Sequence, residues 1–234
     1  MIPLRDDQPS FSTPFINYFL IAVNLLVYLW EFSVGLDSPR HLNAFVMQFG
    51  LVPHHVLAVL AAHSRVSSAA AIVPVFTSMF LHASFMHVAG NMLFLWIFGD
   101  NVEDFLGHIK YVLFYFASGI AAASAQILLD PSSRLPTIGA SGAIAGVMGA
   151  YFILYPRARV LVWFPPIFFF HVPAWLMLGY WFLYQFFSGT VTVIAETAQQ
   201  GGIAFWAHIG GFAAGVIMIK LFSERPHRYR YGTW

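Results

Sequence analysis

The chain has 234 residues, 59% of them hydrophobic and only 9% charged, where ordinary soluble domains run at about 45–50% and about 25%. That balance excludes an ordinary soluble domain and implies a polytopic membrane protein. A formal net charge of +1 offers no electrostatic case for a nucleic-acid partner, and the absence of Cys excludes disulfides, thiolate metal sites and cysteine nucleophiles.

A helix needs about 20 mostly apolar residues to cross ~30 Å of hydrocarbon. Taken in chain order, the first such stretch covers roughly 14–34; it is long and has no small-x-small site after it, so it reads as a retained span rather than a cleaved signal. The longest connection follows, 35–84, with short apolar pieces at Phe45 to Leu51 and Val56 to Ala62 broken by Pro53, His54 and His55. These are too short to cross and are expected to lie at the interface or against the bundle. Further spans are expected at 85–106, 109–129, 141–156, 172–188 and 204–222. Segment 157–171, "RARVLVWFPPIFFFH", reads as a link in which Pro165-Pro166 stops a helix. Segment 189–203 is polar, carries Gly201 and Gly202 near its end and reads as a flap. The expected architecture is therefore all-α, a six-transmembrane-helix bundle forming one membrane-embedded domain over 1–234.

Lys and Arg are retained on the cytoplasmic side of a membrane. With six spans both termini share a side, which collects Arg5, Lys110, Arg157, Arg159, Lys220, Arg225, Arg228 and Arg230, against Arg40, Arg65 and Arg134 on the other. Both ends are expected in the cytoplasm, and the protein in a prokaryotic cell (inner) membrane. Spans two, four and six then run inward together. His87 stands 16 residues before Glu103, Ser141 16 before Arg157, and His208 16 before Glu224. At 1.5 Å per residue all three sit ~24 Å above the inner charged boundary, at one level reached by water from outside.

Polar groups at such depth are expensive and mark function by default. Ser141 heads a run with a small-residue seam, Gly142, Gly146 and Ala150; His208 sits beside another, Ala207, Gly211 and Gly215. Small residues of this spacing let membrane helices touch, and that is the plain reading of each seam. Together they would also bring the hydroxyl and imidazole within the ~2.6–3.2 Å that general-base activation needs. No Asp or Glu stands within either span, so a dyad is expected rather than a triad. His87 and Asn91, at i and i+4, face one way and supply donors for an oxyanion, with the Ser141 N–H at a helix start as a third. His82 lies one turn further out. Their plain reading is interhelical glue.

The combination "HASFMHVAGN", "FGDNVEDFLG", "GASG" and "AHIGGFAAG" resembles the rhomboid family of intramembrane serine proteases in its six-span form, over about residues 10 to 225. The resemblance implies Ser141 as nucleophile, His208 as base, His87 and Asn91 as oxyanion donors, and His82 in the same motif. Gly139 and Gly142 flank the serine, Gly211 and Gly215 follow the histidine, and Glu103 with Gly107 matches the family's acidic-to-glycine feature. It further implies single-span transmembrane proteins as substrates, lateral entry beside the fifth span, a covering loop, and no metal or cofactor. Ala145 stands where some members carry an aromatic under the histidine ring, and 35–84 lacks the Trp-Arg pair of some others. What supports the imidazole is left open.

Three other readings compete. A transporter or channel could use the His/Asn set as a relay, but would call for a buried carboxylate, and none is evident. A metal enzyme could use the His-x4-His pair, but no H-E-x-x-H is present. An inactive rhomboid-like binding protein would need neither Ser141 nor His208.

Overall fold

The computed structural model describes residues 1–61, 65–194 and 204–222. Strand β1 (Ile2–Asp6) leads into helix α1 (Phe15–Asp37). The long connection is itself helical, as α2 (Pro39–Phe49), α3 (Pro53–Ala61) and α4 (Arg65–Thr77), with a 3-10 turn at Ser78–Phe80. Helices α5 (Phe85–Leu106), α6 (His108–Leu129) and α7 (Ser141–Leu154) follow, then strands β2 (Arg159–Phe164) and β3 (Phe168–Pro173), then α8 (Ala174–Ile194) and α9 (Phe205–Phe222). Each expected span has a helix close to its bounds; the fourth stops at Leu154 and the fifth runs on to Ile194.

By length and hydropathy three of these helices can cross a membrane, α1, α6 and α9. A fourth crossing arises if the pair Ala69–Phe80 and Phe85–Leu106, bent by 81°, counts as one broken span. Helix α7 has 14 residues, ~21 Å at 1.5 Å each, short of the full hydrocarbon thickness. The chain is a polytopic helical integral membrane protein.

Helix α7 sits at the centre, and its residues Gly142 to Tyr151 are all buried, the mark of a helix covered on every side. It packs on α5, α6, α8 and α9. The closest approach is to α9, where a Cβ on Gly211 would overlap the Gly142 carbonyl and one on Gly215 the Gly146 carbonyl. Only glycine fits there, because backbone meets backbone.

Glu103, fully buried at the end of α5, accepts the backbone N–H groups of Ile16 at 3.0 Å and Asn17 at 2.7 Å. These belong to the first turn of α1, whose leading N–H groups have no intrahelical acceptor and favour a nearby carboxylate. Gly107, at φ +76°, makes the corner between α5 and α6.

The expected link 157–171 is instead a hairpin. Strands β1, β2 and β3 form an antiparallel sheet in that order, with Ile2 opposite Trp163 and Val162 opposite Phe170. Aromatic and β-branched runs on either side of a Pro-Pro turn carry the strand signal. Of the expected flap 189–203, the first six residues belong to α8, and 195–203 lie outside the described residues, as do Glu224, Arg225, Arg228 and Arg230.

Candidate active site

Three helix starts converge. Ser141 is the first residue of α7, His87 the third of α5 and His208 the fourth of α9. Ser84 caps α5 by accepting the His87 N–H at 3.2 Å, satisfying one of that helix's orphan donors. The approach to α7 is pinned twice: Thr137 and Leu51 exchange backbone hydrogen bonds of 2.8 and 3.0 Å, and the Gly139 N–H donates to the Ser78 carbonyl at 2.8 Å. Gly139 has φ +122°, a left-handed conformation that disfavours any side chain. A Cβ there would come within 2.8 Å of the His87 ring and 3.5 Å of Asn91 Nδ2. His87 and Asn91 therefore face the turn that delivers Ser141.

Ser141 Oγ lies 2.7 Å from His208 Nε2. On the opposite side of the ring, His208 Nδ1 lies 2.9 Å from Gln185 Oε1. An amide oxygen only accepts, so Nδ1 carries the proton, and in the neutral ring Nε2 then presents a lone pair to the hydroxyl. The Trp181 ring lies 5.6 Å from the imidazole, centre to centre. Both supports come from α8, while Ala145 is fully buried inside α7. Gln185 was absent from the sequence candidates, although an amide in "WFLYQFF" is the kind of intramembrane polar residue that asks for a partner.

His82 and Asn91 form a second chain. His82 Nδ1 meets the Phe80 carbonyl at 3.2 Å, so it carries the proton and Nε2 accepts from Asn91 Nδ2 at 3.0 Å. Asn91 keeps one further N–H. The backbone N–H of His82 donates to Glu31 Oε2 at 3.0 Å, across from α1. Glu31 is 2% exposed. The expectation of no buried carboxylate is thus corrected: Glu31 and Glu103 are both buried, and both are engaged by backbone N–H groups. Composition could not reveal this, because the acceptor and donor are 51 residues apart for Glu31 and 86 to 87 for Glu103.

A cavity of about 30 Å³ adjoins the serine, lined among others by Ser78, Thr137, Gly139, Ser141 and Ala207. It has room and polar partners for a water molecule. A larger groove, about 340 Å³, lies between α5, α8 and the N-terminal residues Met1 and Pro3, along Phe94, Met177, Tyr180, Trp181, Tyr184 and Gln185. Chemically, the arrangement joins a hydroxyl to an oriented neutral base, beside amide and imidazole donors and a helix N-terminus.

The family model of the rhomboid domain matches residues 69–225. The chain belongs to the rhomboid family. Rhomboid protein 1, mitochondrial, of Saccharomyces cerevisiae is 33% identical to this rhomboid over 163 residues, 68% of this chain and 44% of the relative. The human presenilin-associated rhomboid-like protein, mitochondrial, is 30% identical over 159 residues, 64% of this chain and 38% of the relative. The rhomboid protease GluP of Bacillus subtilis is 40% identical over 74 residues, 32% of this chain and 14% of the relative. In all three the match takes in less than half of the relative's own length. Within the rhomboid match lie His82, His87, Asn91, Ser141, Gln185 and His208; Glu31 lies before it.

Proposed function

We propose that this rhomboid is an intramembrane serine endopeptidase that hydrolyses peptide bonds in or near the transmembrane helices of single-span membrane proteins. The observation that carries the reading is the 2.7 Å contact between Ser141 Oγ and His208 Nε2, made by a ring whose other nitrogen is already committed as a donor. Ser141 Oγ attacks the scissile carbonyl carbon while its proton passes to His208 Nε2. The negative oxygen of the tetrahedral intermediate is stabilised by the Ser141 N–H, the second N–H of Asn91 and the His87 ring. The C–N bond breaks as His208 returns the proton to the leaving amine. A water then gives a proton to His208 and attacks the acyl ester, and the C–Oγ bond breaks as His208 returns that proton to Ser141 Oγ.

No metal or cofactor takes part. Substrate helices enter from lipid through the groove between α5 and α8. With six crossings, the short α7 being held inside the bundle rather than against lipid, the distribution of basic residues favours both termini in the cytoplasm. The location favoured is a prokaryotic cell membrane, although the yeast and human relatives are named as mitochondrial.

The test is cleavage of a reconstituted transmembrane substrate by detergent-solubilised protein, with fluorophosphonate labelling alongside. Ser141→Ala and His208→Ala abolish both, and chelator changes neither. Activity surviving Ser141→Ala overturns the assignment.

A further inference from the structure

We infer that Gln185 is a positioning residue for the reaction: from α8 it holds His208 in the one tautomer that can accept the serine proton. The inference rests on the Ser141–His208 reading above.

Gln185 is 5% exposed, in a helix otherwise aromatic and aliphatic around it. A buried amide without a partner is costly in hydrocarbon, so the side chain is held to a partner. Its oxygen lies 2.9 Å from His208 Nδ1. An amide can meet an imidazole nitrogen in two ways. With the oxygen inward, Nδ1 is protonated and Nε2 is a free base. With the nitrogen inward, Nδ1 accepts, Nε2 carries the proton, and the ring cannot take one from Ser141. The oxygen-inward arrangement is the one observed, so the competence of the base depends on which end of this amide faces it.

The carboxylate of a three-membered triad orients its histidine and also neutralises the imidazolium. An amide does the first without placing a charge in the hydrocarbon. His87 is the titratable side chain that bears on His208 from α5, Ser141 is its partner on α7, and Gln126 of α6 engages the neighbouring Ala207 N–H at 3.3 Å. None of these reaches Nδ1. Gln185 also lines the 340 Å³ groove between α5 and α8. The contact that sets the base thus borders the space a substrate helix would use, and it is made by α8 rather than by the glycine-locked pair α7 and α9.

The full-length protein in detergent micelles serves for the test, with Ser141→Ala as the inactive reference. Gln185→Leu keeps the volume and removes the acceptor; it lowers kcat by about 10- to 100-fold, a part of the usual worth of a general base, with KM changed less than twofold. Gln185→Glu, an acceptor only once its carboxyl is ionised, restores most of the rate at alkaline pH. Histidine-15N spectra, with the His208 signals identified by their loss in His208→Ala, give a protonated Nδ1 and bare Nε2 in the wild type and a tautomer mixture in Gln185→Leu. A wild-type spectrum with bare Nδ1 overturns the inference without any variant, as does an unchanged kcat in Gln185→Leu. If Ser141→Ala itself still cleaves, the serine reading has failed instead, and the two failures are told apart.

Discussion

Asn91 has two amide protons and two neighbours competing for them. One goes to His82 Nε2, which is free to accept because Nδ1 is spent on the Phe80 carbonyl. In the proposed mechanism the other is left for the oxygen that develops negative charge beside Ser141. Asn91→Ala lowers kcat by roughly 10²-fold, the usual scale for one lost oxyanion donor, and leaves KM almost unchanged; steady-state cleavage of a transmembrane substrate measures both. An unchanged kcat removes Asn91 from the site. The residues of the histidine-asparagine motif, the serine and the distal histidine were legible along the chain, because polar side chains stand out in an apolar run. Gln185 and Glu31 were not selected. Neither belongs to a motif along the chain, and the meaning of each comes from a partner 23 or 51 residues away.

At the scale of elements, the pairing of α7 with α9 decides whether Ser141 and His208 meet. Gly211 is in contact with the Gly142 carbonyl, so any Cβ there must push the helices apart. Gly211→Val therefore costs about 1–3 kcal/mol as overpacking and separates the hydroxyl from the imidazole. The expected outcome is a lower thermal midpoint in detergent together with lost fluorophosphonate labelling. Gly90 on α5 has open space where its Cβ would be, and Gly90→Ala is expected to keep labelling while gaining up to ~1 kcal/mol of helix propensity. Equal behaviour of the two variants would refute this account of the seam. The seams were legible as spacing; that backbone actually touches backbone at Gly142 and Gly146 is a property of the crossing.

Across the whole molecule, the N-terminal strand ties the sheet to the central helix. The Tyr151 hydroxyl of α7 donates to Asp6 Oδ2 of β1. Tyr151 lies ten residues from Ser141, ~15 Å along the helix. Burial pushes the Asp6 carboxyl from its ordinary 3.8 up to about 6, with the charge of Asp7 adding and the Tyr151 hydrogen bond opposing. The folded state thus holds this proton more tightly than the unfolded chain. Its contribution to stability is complete below pH 3.8 and is lost as pH rises through about 6. Comparing thermal midpoints at pH 4 and pH 7 in the wild type and Asp6→Asn, the drop attributable to this carboxyl is present in the first and missing in the second. Identical slopes would exclude Asp6 as its source.

The sequence by itself determined the membrane class, the helical fold, the family and the helix starts bearing Ser141, His87 and His208. Those properties depend on apolar run length, local spacing and short motifs, all carried by neighbours in the chain. Only the tertiary structure decided that 157–173 pairs as a hairpin with the N-terminal strand, that Glu31 holds the His82 backbone, and that an amide from α8 faces Nδ1 of His208. Each is a contact across tens of residues or more, set by how helices and strands meet in three dimensions, and one-dimensional periodicity carries no record of which face meets which.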